Sequence, residues 1–140
     1  MKKKILIICI VVLLLLALIF RGALIRTYVS LFHESLEAYA SQCLSGGEKT
    51  TGKYGLWKTS SYPEDGMVEF RTGGFGLAPS STYKGFYYSE DNTHKVFSAA
   101  DEDAVTMEIS GDSAYWSDGT DNHGKSVRIT ENWFWYEASF

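Results

Sequence analysis

In the stretch Ser126-Val127-Arg128-Ile129-Thr130-Glu131-Asn132-Trp133-Phe134-Trp135-Tyr136-Glu137-Ala138-Ser139-Phe140, two alternating runs flank a break at Glu131-Asn132. If those two residues form a two-residue turn, Ile129 lies opposite Phe134 and Val127 opposite Tyr136. One face is then Val127, Ile129, Phe134, Tyr136, Ala138 and Phe140, wholly apolar. The other is Arg128, Thr130, Trp133, Trp135, Glu137 and Ser139. A one-residue slip would scramble both faces, so the register is specified. Parity predicts Phe134 and Tyr136 in the core and the two tryptophans more exposed beside Arg128. Glu is a poor first residue for such a turn, which leaves a longer loop as the alternative.

From Tyr54 onward the same kind of run recurs, separated by Gly, Asn, Asp and Ser clusters, as in an antiparallel meander. Strands are expected near 56–60, 67–72, 83–89, 95–99, 105–109, 114–117, 126–130 and 133–140. Pro63 and Pro79 fall between strands, where a missing N–H does least harm. The clearest alternation sets Val105, Met107 and Ile109 inward against Thr106 and Glu108 outward. No repeat of fixed period and no low-complexity tract interrupts the pattern.

Before the strands, Leu24, Tyr28, Leu31, Phe32, Leu36, Tyr39 and Cys43 recur at spacings of three, four and seven, which is one stripe of a helix. Arg26, Ser30, His33, Glu34, Glu37 and Ser41 take the opposite face, so the stripe is expected on the sheet and Glu34 and Glu37 in water. Leu44-Ser45-Gly46-Gly47 ends the helix with the residue type that tolerates a left-handed cap.

Still earlier, Lys2-Lys3-Lys4 precede sixteen uninterrupted apolar residues, Ile5 to Phe20, and Arg21 follows. Such a window suits lipid, because a helix closes every backbone hydrogen bond within itself. Sixteen residues at about 1.5 Å each reach about 24 Å, and Ala23, Leu24 and Ile25 extend the span if Arg21 snorkels. A cleaved leader is the alternative. However, Ile19-Phe20-Arg21-Gly22 stands where small residues spaced A-x-A are needed, and Ile8 is too bulky before Cys9 for a lipoprotein site. The expectation is a retained signal-anchor over residues 1–25, with the lysines cytoplasmic and residues 26–140 an extracytoplasmic domain. Gly22 is a candidate bend. The fold class is α+β: a transmembrane helix continuing into an amphipathic helix packed on a curved antiparallel β-sheet.

Four of the thirteen Lys and Arg lie at or before Arg21, leaving nine against all seventeen Asp and Glu, a formal charge of −8 beyond the anchor. That excludes a nucleic-acid surface and argues against a polybasic contact with anionic lipid. The remaining length suits one domain. Cys43 is the only thiol beyond the membrane segment, so no intramolecular disulfide can staple the domain. It either packs as a small hydrophobe or pairs between chains.

The densest polar cluster is Asp118-Gly119-Thr120-Asp121-Asn122-His123-Gly124. Hard cations bind such oxygens, but the calcium-loop frame fails where His123 replaces its glycine and Ile129 its closing Glu. A turn is the expected reading, with Asp118, Asp121 and His123 the weak metal candidates and no cofactor implied. No nucleophile elbow, zinc helix or phosphate loop occurs. His33, His94 and His123 read as solvated or loop residues. The competing hypothesis is a small hydrolase using His123 with Asp118 or Asp121. Gly73-Gly74-Phe75-Gly76 reads as a β-bulge or tight turn.

Aromatic residues crowd the domain. Most must stabilise a disulfide-free core, and strand alternation either forces some outward or requires cover on both faces. Exposed clusters mark binding surfaces, so Trp133, Trp135 and Arg128 form the candidate aromatic face, for a protein or cell-wall glycan partner. The stretches 83–89, 121–124 and 132–140 resemble those of small uncharacterised signal-anchored ectodomain proteins of Gram-positive bacteria. The resemblance implies a location and carries no activity. The order of membrane helix, amphipathic helix and sheet is also that of type IV pilins, although the glycine and glutamate of their processing region are missing. A binding or accessory module at the outer membrane face is the expected function; the alternatives are a surface hydrolase or a pilin-like subunit.

Overall fold

The computed structural model of the chain describes residues 2–77, 80–97 and 104–140. Two helices, α1 (Lys2–Ile19) and α2 (Arg21–Ser45), precede eight strands: β1 (Thr51–Tyr54), β2 (Trp57–Tyr62), β3 (Met67–Leu77), β4 (Ser80–Ser89), β5 (Thr106–Ser110), β6 (Ser113–Ser117), β7 (His123–Thr130) and β8 (Trp133–Ser139). All pair antiparallel in one sheet, ordered β1-β2-β3-β4-β8-β7-β6-β5. The α+β class is as expected, but the sheet is not one meander. It is two, β1–β4 and β5–β8, joined where β8 pairs with β4. The segment between β4 and β5 must therefore cross from the sheet centre to its edge. Positions 95–97 belong to that crossing and form no strand, contrary to expectation, while 98–99 lie outside the described residues. β1 was absent from the sequence reading because Thr51-Gly52-Lys53-Tyr54 has too few apolar residues to alternate.

The crossing gives the sheet its second cover. On one face α2 buries Val29, Leu36 and Ala40 against Val68, Phe70, Phe86, Tyr88 and Trp133. On the far face Val96, Phe97 and Val105 pack against Met67, Tyr87, Trp116, Phe134, Tyr136 and Ala138. With both faces covered, adjacent aromatics such as Tyr87 and Tyr88 are both buried.

The α2 stripe is rotated from the one expected. Leu31 is 71% exposed and Phe32 49% exposed. Non-helical torsions at Phe32 (φ −117°, ψ 15°) kink the helix, so the inward phase runs through Ile25, Tyr28 and Val29 before the kink and Leu36, Tyr39, Ala40 and Cys43 after it. Glu34 is in water; Glu37 is half-buried and accepts a hydrogen bond from Tyr88 Oη at 3.4 Å.

At the final hairpin the turn is Glu131-Asn132, but its backbone is asymmetric. Asn132 alone is left-handed (φ 64°), and an irregularity between Arg128 and Thr130 leaves Ile129 as an extra residue. Arg128 therefore opposes Phe134, Val127 opposes Trp135 and Ser126 opposes Tyr136. A symmetric two-residue turn needs positive φ at both central positions; Glu131 avoids that, and the bulge absorbs the mismatch. Met107 and Ile109 share the far face with their partners Trp116 and Ala114 but remain exposed, because β5 is an edge strand beyond the described cover.

No single helix among the described residues is long and apolar enough to cross a membrane. The segments Lys3–Ala17 and Arg21–Ser45 pass that test only together, and they meet at a 69° bend.

Candidate functional site

A buried carboxylate gathers a group of polar side chains on the far face. Alternation along β3 turns Val68 and Phe70 towards α2 and Met67, Glu69 and Arg71 away from it. β8 adds Tyr136 and Ala138, β4 adds Tyr83, and the crossing segment lays Phe97 across the group. Together with Lys49, Tyr62 and Phe140 they line an open cleft of about 500 Å³, a volume within the range of small-ligand sites.

Glu69 is the anchor of this cleft. It is 2% exposed, and a carboxylate so buried must be fully hydrogen-bonded. Arg71 donates to Oε1 from Nε at 3.3 Å and from Nη2 at 3.2 Å, and also to Oε2 at 3.3 Å. Tyr136 Oη donates to Oε1. Burial pushes the Tyr136 phenol well above its ordinary pKa and the neighbouring Glu69 charge pushes it further, against the pull of Arg71. Tyr136 thus keeps its proton and is a fixed hydrogen-bond donor. Burial works against the charged form of Arg71, but Glu69 and Tyr136 together outweigh it and raise the pKa. Burial also raises Tyr62, with Glu69 adding to it.

Room for Tyr136 depends on Gly85 opposite it. A Cβ there would stand 2.2 Å from the Phe70 carbonyl oxygen and 2.9 Å from Tyr136 Cε1. The walls are aromatic. Arg71 stands 4.5 Å over the Tyr83 ring, Lys49 Nζ stands 4.5 Å over Tyr62, and Phe97 stacks on Tyr136 at 4.2 Å between centroids. Chemically the cleft presents ring surfaces beside held hydrogen-bonding groups. Glu69 is committed to Arg71 and Tyr136, so its role here is to position them.

The tryptophan platform is corrected. Trp133 is 0% exposed in the helix-side core, because α2 covers the face that parity left outward. Its Nε1–H has no hydrogen-bond partner among the described residues. Trp135 is half-buried on the same face, with Arg26 rather than Arg128 beside it at 6.0 Å. The bulge carries Arg128 to the far face, where it lies 4.6 Å over Phe134 and donates to Asn92. Phe134 and Tyr136 are buried as expected.

Asp118 to Gly124 is a turn closed by its own side chains. Asp118 Oδ1 accepts from Thr120 N at 3.0 Å and Thr120 Oγ1 at 2.6 Å, and Oδ2 accepts from Asn122 Nδ2 at 2.8 Å. His123 Nδ1 lies 2.8 Å from the Asp121 carbonyl oxygen. Asp121 and His123 share the wall of a shallow groove with Phe140. Asp118 is not among that groove's lining residues, and its carboxylate is committed to the turn. Among the described residues no group of three or more His, Cys, Asp or Glu is placed to hold a metal. His94, expected in a solvated loop, is buried with Nδ1 2.6 Å from Ser126 Oγ.

Sequence reasoning passed over Glu69, Arg71 and Tyr136. The signal was present: Glu69 sits between Val68 and Phe70 in a strand buried on both sides, two residues from a cation of matching charge. No protein-family model, curated protein or solved structure matches this chain.

Proposed function

We propose that the protein is a single-pass membrane protein whose α+β domain, held outside the cell, binds a cell-wall glycan in the cleft built on Glu69, Arg71 and Tyr136. The observation that carries the binding reading is the combination of aromatic walls with a buried, fully bonded carboxylate at the cleft base. Sugar rings stack on such walls and exchange hydrogen bonds with groups held in place, so little ordering is left to the moment of binding. The anchoring reading rests on the apolar run Ile5–Ile19 of α1, whose fifteen residues extend about 22 Å, and on the three lysines that open the helix. The negative charge of the domain fits a partner other than nucleic acid.

The test is a titration of soluble peptidoglycan fragments into the full chain held in nanodiscs. Saturable binding that weakens about tenfold in Tyr83→Ala or Tyr62→Ala is expected, since each substitution removes a ring without stranding Glu69. Binding that both substitutions leave intact, or no binding, would contradict the proposal.

A further inference from the structure

We infer that the end of the sheet where α2 begins is a second contact with the lipid bilayer, carried by Leu56 and Phe75. The inference rests on the anchoring reading above and goes beyond it by giving the domain a fixed orientation on the membrane. The register places both residues at that end. Lys58 pairs with Arg71, so the Gly55-Leu56 turn stands level with Thr72, whose carbonyl accepts a hydrogen bond from Arg21 at the start of α2. β3 and β4 run on past that level, with Phe75 opposite Thr82.

Leu56 is 98% exposed and Phe75 86%, the two highest values for large apolar side chains among the described residues. One such side chain in water is ordinary. Two at one end, together with Phe20 and Leu24, which are 55% and 57% exposed at the foot of an apolar helix, form a discontinuous apolar rim around that helix. Charge supports lipid as the occupant. In a chain of net charge −4, Arg21, Lys53 and Lys58 fall at this end with no carboxylate partner among the described residues, placed to meet the phosphates of lipid headgroups, while Lys84 beside them is paired with Glu137 at 2.9 Å. Arg21, Trp135 and the Lys84–Glu137 pair line a cleft of about 510 Å³ between α2 and the β3–β4 pair, where the unpaired cation and the aromatic ring are the mixture found at headgroup depth. This is a contact of a few cations with protruding apolar side chains, distinct from the polybasic patch that the domain's composition excludes.

The experiment uses the full chain carrying Cys9→Ser and Cys43→Ala, with a nitroxide at Leu56→Cys, Phe75→Cys, Ile109→Cys or Leu13→Cys. Each variant is placed one chain per nanodisc of phosphatidylcholine and phosphatidylglycerol. Relaxation by oxygen, which concentrates in lipid, is compared with relaxation by a water-soluble nickel chelate. The labels at 56 and 75 should show an oxygen-to-nickel ratio several-fold above that at 109 and below that at 13. Labels at 56 and 75 that match 109 while 13 reads as lipid would overturn the inference and leave the anchor standing. A water-exposed label at 13 would overturn both. Spin–spin broadening at 56 or 75 in two-chain discs, with water exposure in one-chain discs, would also overturn it and assign the surface to a second copy.

Discussion

Leu31 and Leu36 are the same residue type five positions apart on one helix, yet their surroundings set opposite expectations. Leu36 is 0% exposed between α2 and the sheet, whereas Leu31 points away from it. Leu36→Ala should cost about 2 to 5 kcal/mol, and Leu31→Ala no more than about 0.5 kcal/mol. Denaturant unfolding of the two variants checks this, and equal losses would mean that the kink at Phe32 is misplaced. At His94, burial holds the imidazole pKa below its ordinary value, the Arg128 charge lowers it further and Asp112 opposes both. Between the folded and unfolded pKa values the native state binds fewer protons than the unfolded chain. The neutral His94 therefore contributes stability that is present above about pH 6.5 and is lost as pH falls below it. Unfolding midpoints should drop between about pH 7 and about pH 5, and more steeply in wild type than in His94→Gln. Parallel profiles would show that His94 does not titrate differently on folding.

Among the elements, the final hairpin shows what sequence can and cannot carry. Its two strands, its turn residues and the burial of Phe134 and Tyr136 were legible from alternation alone. The register and the burial of Trp133 were not, each for its own reason. Positive φ at Asn132 and not at Glu131 goes with the extra residue Ile129, which shifts the parity of β7, and alternation along one strand contains no information about what lies above its other face. The end of α2 was legible from Gly46-Gly47, while the rotation of its stripe depended on a kink that no proline or glycine marks. The turn itself is testable. Asn132 holds φ 64° and donates Nδ2 to the Glu90 carbonyl at 3.2 Å. Asn132→Val should cost about 1 to 2 kcal/mol more than Asn132→Gly, because a β-branched side chain resists the left-handed region. Equal unfolding midpoints for the two variants would refute this turn geometry.

For the molecule as a whole, one topological step accounts for most of what the sequence hid. Because β8 pairs with β4, β5 lies at the sheet edge far from β4, and Val96, Phe97 and Val105 between those two strands cover the far face. The cover explains how a small domain without disulfides buries aromatic residues on both sides of its strands. Among the described residues Arg71 and Tyr83 stay half-exposed beside the buried Glu69, and together they line the cleft. Long-range pairing of this kind is invisible to local periodicity, which is why the cleft lies on the face of β8 opposite to the tryptophans that alternation singles out. The central claim is that this flank is the binding surface. It is tested most directly by mapping amide and side-chain NMR shifts while soluble peptidoglycan fragments are added to the full chain in nanodiscs. Shifts concentrated at Lys49, Tyr62, Arg71, Tyr83 and Phe97 are expected; shifts concentrated around Trp135 and Arg26, or none at saturating fragment, would contradict the account.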